Sequence, residues 1–221
     1  KAVAFVSDSA GSRQIFIRLL AGGPPLQITR DAGAHLEPRW SQDSASLIYY
    51  TPPPEGGSQG TLWEVSALGG PPRRLASSLS GADVGHDGKR LTYFRLGDGQ
   101  MQLVAADRDG SILHVVMQAP VSFSYRNPRW SPGDKAIAFL HSRENWADDV
   151  YVVRSAGGIP KQISDDNTLM SGLAWPNDGS HILYSSARGS TVLYLPTMHL
   201  WKISAEGGQA EQITFGEAGD E

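Results

Sequence analysis

A tryptophan phrase returns along this chain at a nearly constant interval, and that interval restricts the fold more than any other feature. EPRWSQDSASLIYY (37–50), NPRWSPGDKAIAFL (127–140) and LAWPNDGSHILYSS (173–186) share an aromatic anchor, a polar break and an apolar run. A degraded copy, GADVGHDGKRLTYF (81–94), carries Val84 in place of tryptophan. The anchors Trp40, Val84, Trp130 and Trp175 stand 44, 46 and 45 residues apart. A second phrase accompanies them: AGGPPLQIT (21–29), LGGPPRRLA (68–76), AGGIPKQIS (156–164) and EGGQAEQIT (206–214). In the third repeat DRDGSILHV (107–115) keeps only the turn. A fixed period of this length means one supersecondary unit repeated, since each copy needs its neighbours to bury its apolar faces.

Each unit reads as four short strands, a to d. Strand a is x-Pro-x-Trp, b is the Ile-Ala-Phe type of run, c is Val-Tyr-Val, and d is Lys-Gln-Ile-Ser. The a–b link is a Ser-Pro-Gly-Asp type of turn, in which proline presets φ and glycine or aspartate tolerates a positive φ. The c–d link is Gly-Gly, a tight hairpin connection, at Gly22, Gly69, Gly157 and Gly207. Four-stranded units of about 40–45 residues with regular turn signals predict an all-β fold, a β-propeller of antiparallel blades. Five repeats are visible, at about 1–36, 37–80, 81–126, 127–171 and 172–221, the first lacking its inner strand. The whole of 1–221 is expected to be a single propeller domain or segment.

Composition removes several function classes. The net charge of −4 arises from interspersed acids and bases, so no basic stripe exists to neutralise phosphates, and no nucleic-acid partner is expected. The absence of cysteine removes disulfides and thiolate metal sites. No run approaches the roughly 18 apolar residues of a membrane helix, so no membrane insertion is expected.

The combination of Trp130-Ser131-Pro132, Ile137-Ala138-Phe139, Asp149-Val150-Tyr151-Val152 and Gly157-Gly158 through Gln162-Ile163-Ser164 resembles the TolB-type β-propeller repeat of bacteria. The order Gly133-Asp134 reverses that family's usual Asp-Gly. The resemblance implies a six-bladed ring, with about one blade beyond these residues, and a periplasmic or otherwise extracytoplasmic location. It also implies either a non-catalytic binding scaffold for a protein or peptide partner, or an accessory propeller of a larger hydrolase, peptidase or signalling receptor.

Trp40, Trp130 and Trp175, at a fixed place in each good repeat, are expected to pack between blades and not to stack on a ligand. Gly56-Gly57-Ser58-Gln59-Gly60 fits G-x-S-x-G, but it sits in a proline-rich loop where the required strand-turn-helix is missing, so no catalytic residue is assigned. The histidines form no metal-ligand pair, Asp107-Arg108-Asp109-Gly110 lacks the later acids of a calcium loop, and Asp165-Asp166-Asn167 reads as a solvated d–a loop. No metal or cofactor is expected.

Strand direction locates the binding end. With antiparallel strands, the b–c and d–a connections leave one end of every blade, and these hold the longer segments: 8–13, 51–60, 142–149, 186–199, 30–38 and 119–128. Any site is therefore expected there, around the channel mouth. His35, Tyr125, Arg126, Arg143, Trp146, Arg188, Tyr194 and Leu195 supply cationic and aromatic groups suited to a carboxylate-bearing or peptide-like partner. The apolar run Thr191 to Met198 reads either as a contact surface or as local packing.

Overall fold

A computed structural model describes residues 1–9, 11–122, 124–142, 147–190 and 196–216. Its nineteen strands form five antiparallel sheets, each meandering in chain order. The first sheet has three strands, β1 (Ala2–Ser9), β2 (Ser12–Leu19) and β3 (Leu26–Gln27), which correspond to b, c and d. The second is β4 (Leu36–Trp40), β5 (Ser46–Thr51), β6 (Gly60–Ser66) and β7 (Arg73–Ser78). The third is β8 (Asp83–Val84), β9 (Arg90–Gly97), β10 (Gln100–Asp107) and β11 (Ile112–Ala119). The fourth is β12 (Ser124–Trp130), β13 (Ala136–Ser142), β14 (Asp148–Arg154) and β15 (Lys161–Gln162). The fifth is β16 (Met170–Ala174), β17 (His181–Ser186), β18 (His199–Ser204) and β19 (Glu211–Gln212). The five blades give an all-β propeller fold, and the contacts gather into two compact units, Lys1–Val115 and Val116–Glu221.

Within each unit the apolar b and c strands pack against those of the neighbouring sheet. In the first, Leu47, Tyr49 and Val65 of the second sheet pack with Ile15, Ile17 and Ile28 of the first. Their neighbours Ile48, Tyr50 and Leu62 point the opposite way and pack with Val84, Leu91 and Tyr93 of the third sheet. In the second unit, Ala138, Leu140 and Val150 pack with Ile182, Tyr184 and Ile203. Alternate residues thus serve different neighbours, as the period of two requires. Trp130 is 1% exposed, whereas Trp40 and Trp175 are half-buried against the clusters around Tyr49 and Tyr184.

The a–b turns repeat one geometry. The N–H groups of Ser44, Gly88, Asp134 and Gly179 donate to the carbonyls of Ser41, Gly85, Ser131 and Pro176 at 2.9–3.0 Å. The donor residue has φ between 55° and 70° in all four turns. The reversed Gly133-Asp134 therefore places Asp134, and not the glycine, in the left-handed conformation, at φ 55°. In the c–d turns the first glycine of each Gly-Gly pair closes the turn: Gly69 has φ 84° and donates to Ser66 at 2.9 Å.

Two elements differ from the sequence expectation. Strand β11 runs for eight residues where the first, fourth and fifth sheets have two-residue outer strands, because Ile112, Val115 and Val116 are β-branched and the segment lacks the Gly-Gly pair of the other d phrases. The segment 8–13 is not a loop: β1 and β2 pair as far as Ser9 with Ser12, and Gly11 at φ 81° lets the chain reverse at once.

Candidate functional site

In every sheet the b–c and d–a connections leave the same end, opposite the a–b and c–d turns. The long connections at that end are 52–59 and 187–198 between strands b and c, with 28–35 and 163–169 leading from d to a. The third sheet closes its b–c link with only Asp98 and Gly99, both at positive φ, so loop length is concentrated on the second and fifth sheets.

The roots of these connections are fastened by the Gln-Ile-Thr/Ser phrase. Thr29 Oγ1, Ser164 Oγ and Thr214 Oγ1 accept the N–H groups of Ile15, Val150 and Leu200 at 2.8–2.9 Å. Ile28, Ile163 and Ile213 donate their N–H groups back to the carbonyls of the same three residues. Gln27, Gln162 and Gln212 each donate a side-chain amide to the carbonyl two residues on, at 2.8–2.9 Å. The hydroxyl thus continues strand pairing one step past the two-residue d strand, which satisfies a backbone donor that would otherwise be orphaned.

Beyond this fastening, carboxylates organise the loops. Two residues after Thr29, Asp31 accepts from Gly33 N at 2.8 Å and meets His35 Nε2 at 2.9 Å. His35 is 3% exposed; its Nδ1 lies 3.1 Å from Thr51 Oγ1 and its ring stands edge-on to Tyr49 at 5.0 Å. Burial, helped by the Asp31 charge, pushes the Tyr49 phenol up to about 12, so it packs as a neutral ring. His35, expected to face a partner, is instead the staple between loop 28–35 and strand β5.

Arg126 is also committed inward. Its Nη1 and Nη2 donate to the two oxygens of Asp148 at 2.9 and 2.6 Å, and it reaches Ser142 Oγ at 2.5 Å and the Met170 carbonyl at 2.9 Å. The Asp148 carboxylate, 1% exposed, further accepts from Met170 N and the Ser142 hydroxyl. This fork-to-fork pair ties the fourth sheet to the inner strand of the fifth. Tyr125, beside it, stacks on His141 at 4.3 Å and meets Phe139 edge-on at 5.7 Å, and burial raises its pKa.

Arg188 differs from both. Its side chain is 43% exposed, with Nη1 donating to Asp166 at 3.1 Å and the guanidinium carbon 5.0 Å from the centre of the Trp201 ring. The sequence places Asp166 in a solvated loop. Its side chain is instead 1% exposed, and it accepts from Tyr184 Oη at 3.3 Å and Ser186 Oγ at 2.9 Å. Burial first, and the Asp166 charge second, hold the Tyr184 phenol well above its ordinary pKa. Arg188, Ser190, Thr197, His199 and Gln212 border a pocket of about 250 Å³. Arg143, Trp146, Tyr194 and Leu195 lie outside the described residues.

The sequence reading gives no site role to Asp148, Asp149 or Asp166, whose side chains are all buried. Asp149 is 0% exposed and accepts from Ser164 Oγ at 3.0 Å and Asp166 N at 2.9 Å. A signal was present: Asp31 and Asp166 each follow the last residue of the Gln-Ile-Thr/Ser phrase by two. No group of three metal-ligating side chains occurs among the described residues, and Ser58 is exposed in its loop.

No family model matches the sequence. The uncharacterized peptidase YuxL of Bacillus subtilis (strain 168) is 33% identical over 63 residues, 28% of this chain and 10% of that protein. TolB from Acinetobacter baumannii superposes with a TM-score of 0.73 at 14% identity, over 96% of this chain and 52% of its own. The putative TolB from Agrobacterium tumefaciens gives 0.74 at 20% identity, over 95% and 76%. The acylaminoacyl peptidase of Pyrococcus horikoshii gives 0.55 at 14% identity, over 96% and 37%. This chain therefore spans about half of the Acinetobacter TolB chain and about a tenth of YuxL.

Proposed function

We propose that this chain, with its TolB-like β-propeller fold, is a non-catalytic scaffold that binds a protein or peptide partner at the b–c and d–a ends of its sheets, in an extracytoplasmic setting. The observation that carries this reading is Arg188, a half-exposed cation held over Trp201 by a buried carboxylate at the end where the long loops leave. A positively charged group on a rigid seat, next to an aromatic ring and a small polar pocket, is the kind of anchor that polypeptide interfaces use. Binding at this end also agrees with the way repeat scaffolds place variable loops on a constant frame.

A second reading is that the propeller serves a fused hydrolase or peptidase; the stretch shared with YuxL favours it. Photo-crosslinking in the native host tests both. A benzophenone amino acid at Pro53 or Ser190 is expected to capture another polypeptide, while the same group at Leu68 or Ile159, in the c–d turns, captures none. Adducts confined to the protein's own flanking chain would transfer support to the second reading. Equal capture at both ends of the sheets would remove the scaffold assignment.

A further inference from the structure

We infer that the Arg188 pocket of the fifth sheet is a carboxylate-binding subsite, which takes the C-terminal or side-chain carboxylate of a bound polypeptide. The inference rests on the scaffold reading and adds the chemical class of the group recognised. Three contacts fix the arginine before any ligand arrives. Asp166 holds Nη1 at 3.1 Å, the Trp201 ring supports one face at 5.0 Å, and the Arg188 N–H donates to Ser186 Oγ at 3.2 Å. Asp166 is itself immobilised by Tyr184 and Ser186, so the seat does not depend on the arginine for its own order.

What remains of the guanidinium is one free edge. Nε and Nη2 have no partner among the described residues, and the side chain is 43% exposed. A guanidinium edge with two parallel N–H donors matches the two oxygens of a planar carboxylate, and a fixed arginine loses less rotamer freedom on binding than a mobile one. The surroundings agree in polarity. Ser190, Thr197, His199 and Gln212 line the pocket, and no acidic side chain among the described residues does.

Charge selects among anions. Asp166 cancels much of the arginine's charge, so the seat offers fixed donors with little surplus positive field. That suits a monoanion and disfavours a phosphate dianion, whose desolvation needs a larger opposing charge. A pocket of about 250 Å³ admits a carboxylate with one small residue and no folded surface, so the subsite holds a chain end or a single side chain.

The test is a titration of the 1–221 chain, followed by NMR through the indole N–H of Trp201, with N-acetylglycine, N-acetylglycinamide and inorganic phosphate as probes. N-acetylglycine is expected to shift this resonance saturably, while the amide gives no saturable shift and phosphate binds at least tenfold more weakly. Arg188→Gln is expected to weaken N-acetylglycine about tenfold or more, in line with the loss of a charge-assisted hydrogen-bond pair. Arg188→Lys should recover only part, because the ammonium lacks the fork. Equal responses to acid and amide, tighter binding of phosphate, or unchanged binding by Arg188→Gln with an unchanged melting temperature would each overturn the subsite. If Arg188→Gln retains partner crosslinks from Pro53 while N-acetylglycine binding never appears, the scaffold reading stands and the carboxylate inference alone fails.

Discussion

Ser164 donates its hydroxyl to the buried carboxylate of Asp149 at 3.0 Å while accepting the amide of Val150 at 2.8 Å. One hydroxyl thereby links the start of strand c, the end of strand d and the d–a loop. Ser164→Ala is expected to lower stability by about 1–3 kcal/mol, since it leaves a buried N–H unpaired. Asp149→Ala should cost more, because the Asp166 N–H and the Ser164 hydroxyl lose their acceptor together. Chemical denaturation of the two variants checks the order, and an Asp149→Ala loss of only a few tenths would contradict the linkage.

The tryptophans at the ends of the inner strands should separate by burial. Trp130, 1% exposed, is expected to cost about 3–5 kcal/mol on replacement by alanine. Trp175 is half-buried, and its indole donates to the Gly179 carbonyl at 3.3 Å, so Trp175→Ala should cost distinctly less. Thermal melts of the pair measure this directly. Equal losses would mean that packing at these two positions is alike after all.

Arg126 and Asp148 form a two-pronged charged contact at the loop end. Removing one partner leaves a buried, uncompensated carboxylate, so Arg126→Leu is expected to cost roughly 3 kcal/mol, while Arg126→Leu with Asp148→Leu recovers part of that loss. A double-mutant cycle gives the coupling energy. Strict additivity would show that the pair adds no joint stability.

Glu64 supplies a pH dependence at the turn end. Burial alone would raise its pKa, but hydrogen bonds from Arg73 and Ser46 together with the Arg108 charge outweigh burial and hold it below 4.5. A carboxylate depressed in the folded state contributes stability above its unfolded pKa, and that contribution is lost as the pH falls through the folded pKa. The stability gap between wild type and Glu64→Gln should therefore be full near neutrality and close at pH values below about 4. A gap that persists unchanged to pH 2 would contradict this.

The turn at 131–134 is open to improvement. Asp134 occupies the left-handed position that Gly88 and Gly179 fill in the equivalent turns, and a side chain built on Gly133 would meet nothing within 4 Å. Exchanging the two, Gly133→Asp with Asp134→Gly, restores Asp-Gly and is expected to raise stability by about 0.5–1 kcal/mol. A measured loss would show that the Asp134 side chain has a role of its own.

Most of the fold could be read from particular residues. Tryptophan anchors and Gly-Gly turns mark nineteen strands, and the alternation of Leu47, Ile48, Tyr49 and Tyr50 gives each side of the second sheet its own neighbour. The candidate site was less legible. His35, Arg126 and Arg188 are all basic residue types in loop-end segments, and sequence treats them alike. Only the tertiary structure distinguishes them, through the acids that meet them: Asp31 for His35, Asp148 for Arg126 and Asp166 for Arg188.

By itself the sequence determined the repeat, the strand count and the end of the sheets where the long loops leave, because these follow from local periodicity and turn chemistry that each unit carries within itself. Burial of a polar group is different, since it depends on residues far away in the chain. Arg126 reaches the Met170 carbonyl across 44 positions, and Arg188 reaches Asp166 across 22. Whether a charged side chain locks the frame or stays open to a partner is fixed by such long-range pairings, and only the folded structure decided it.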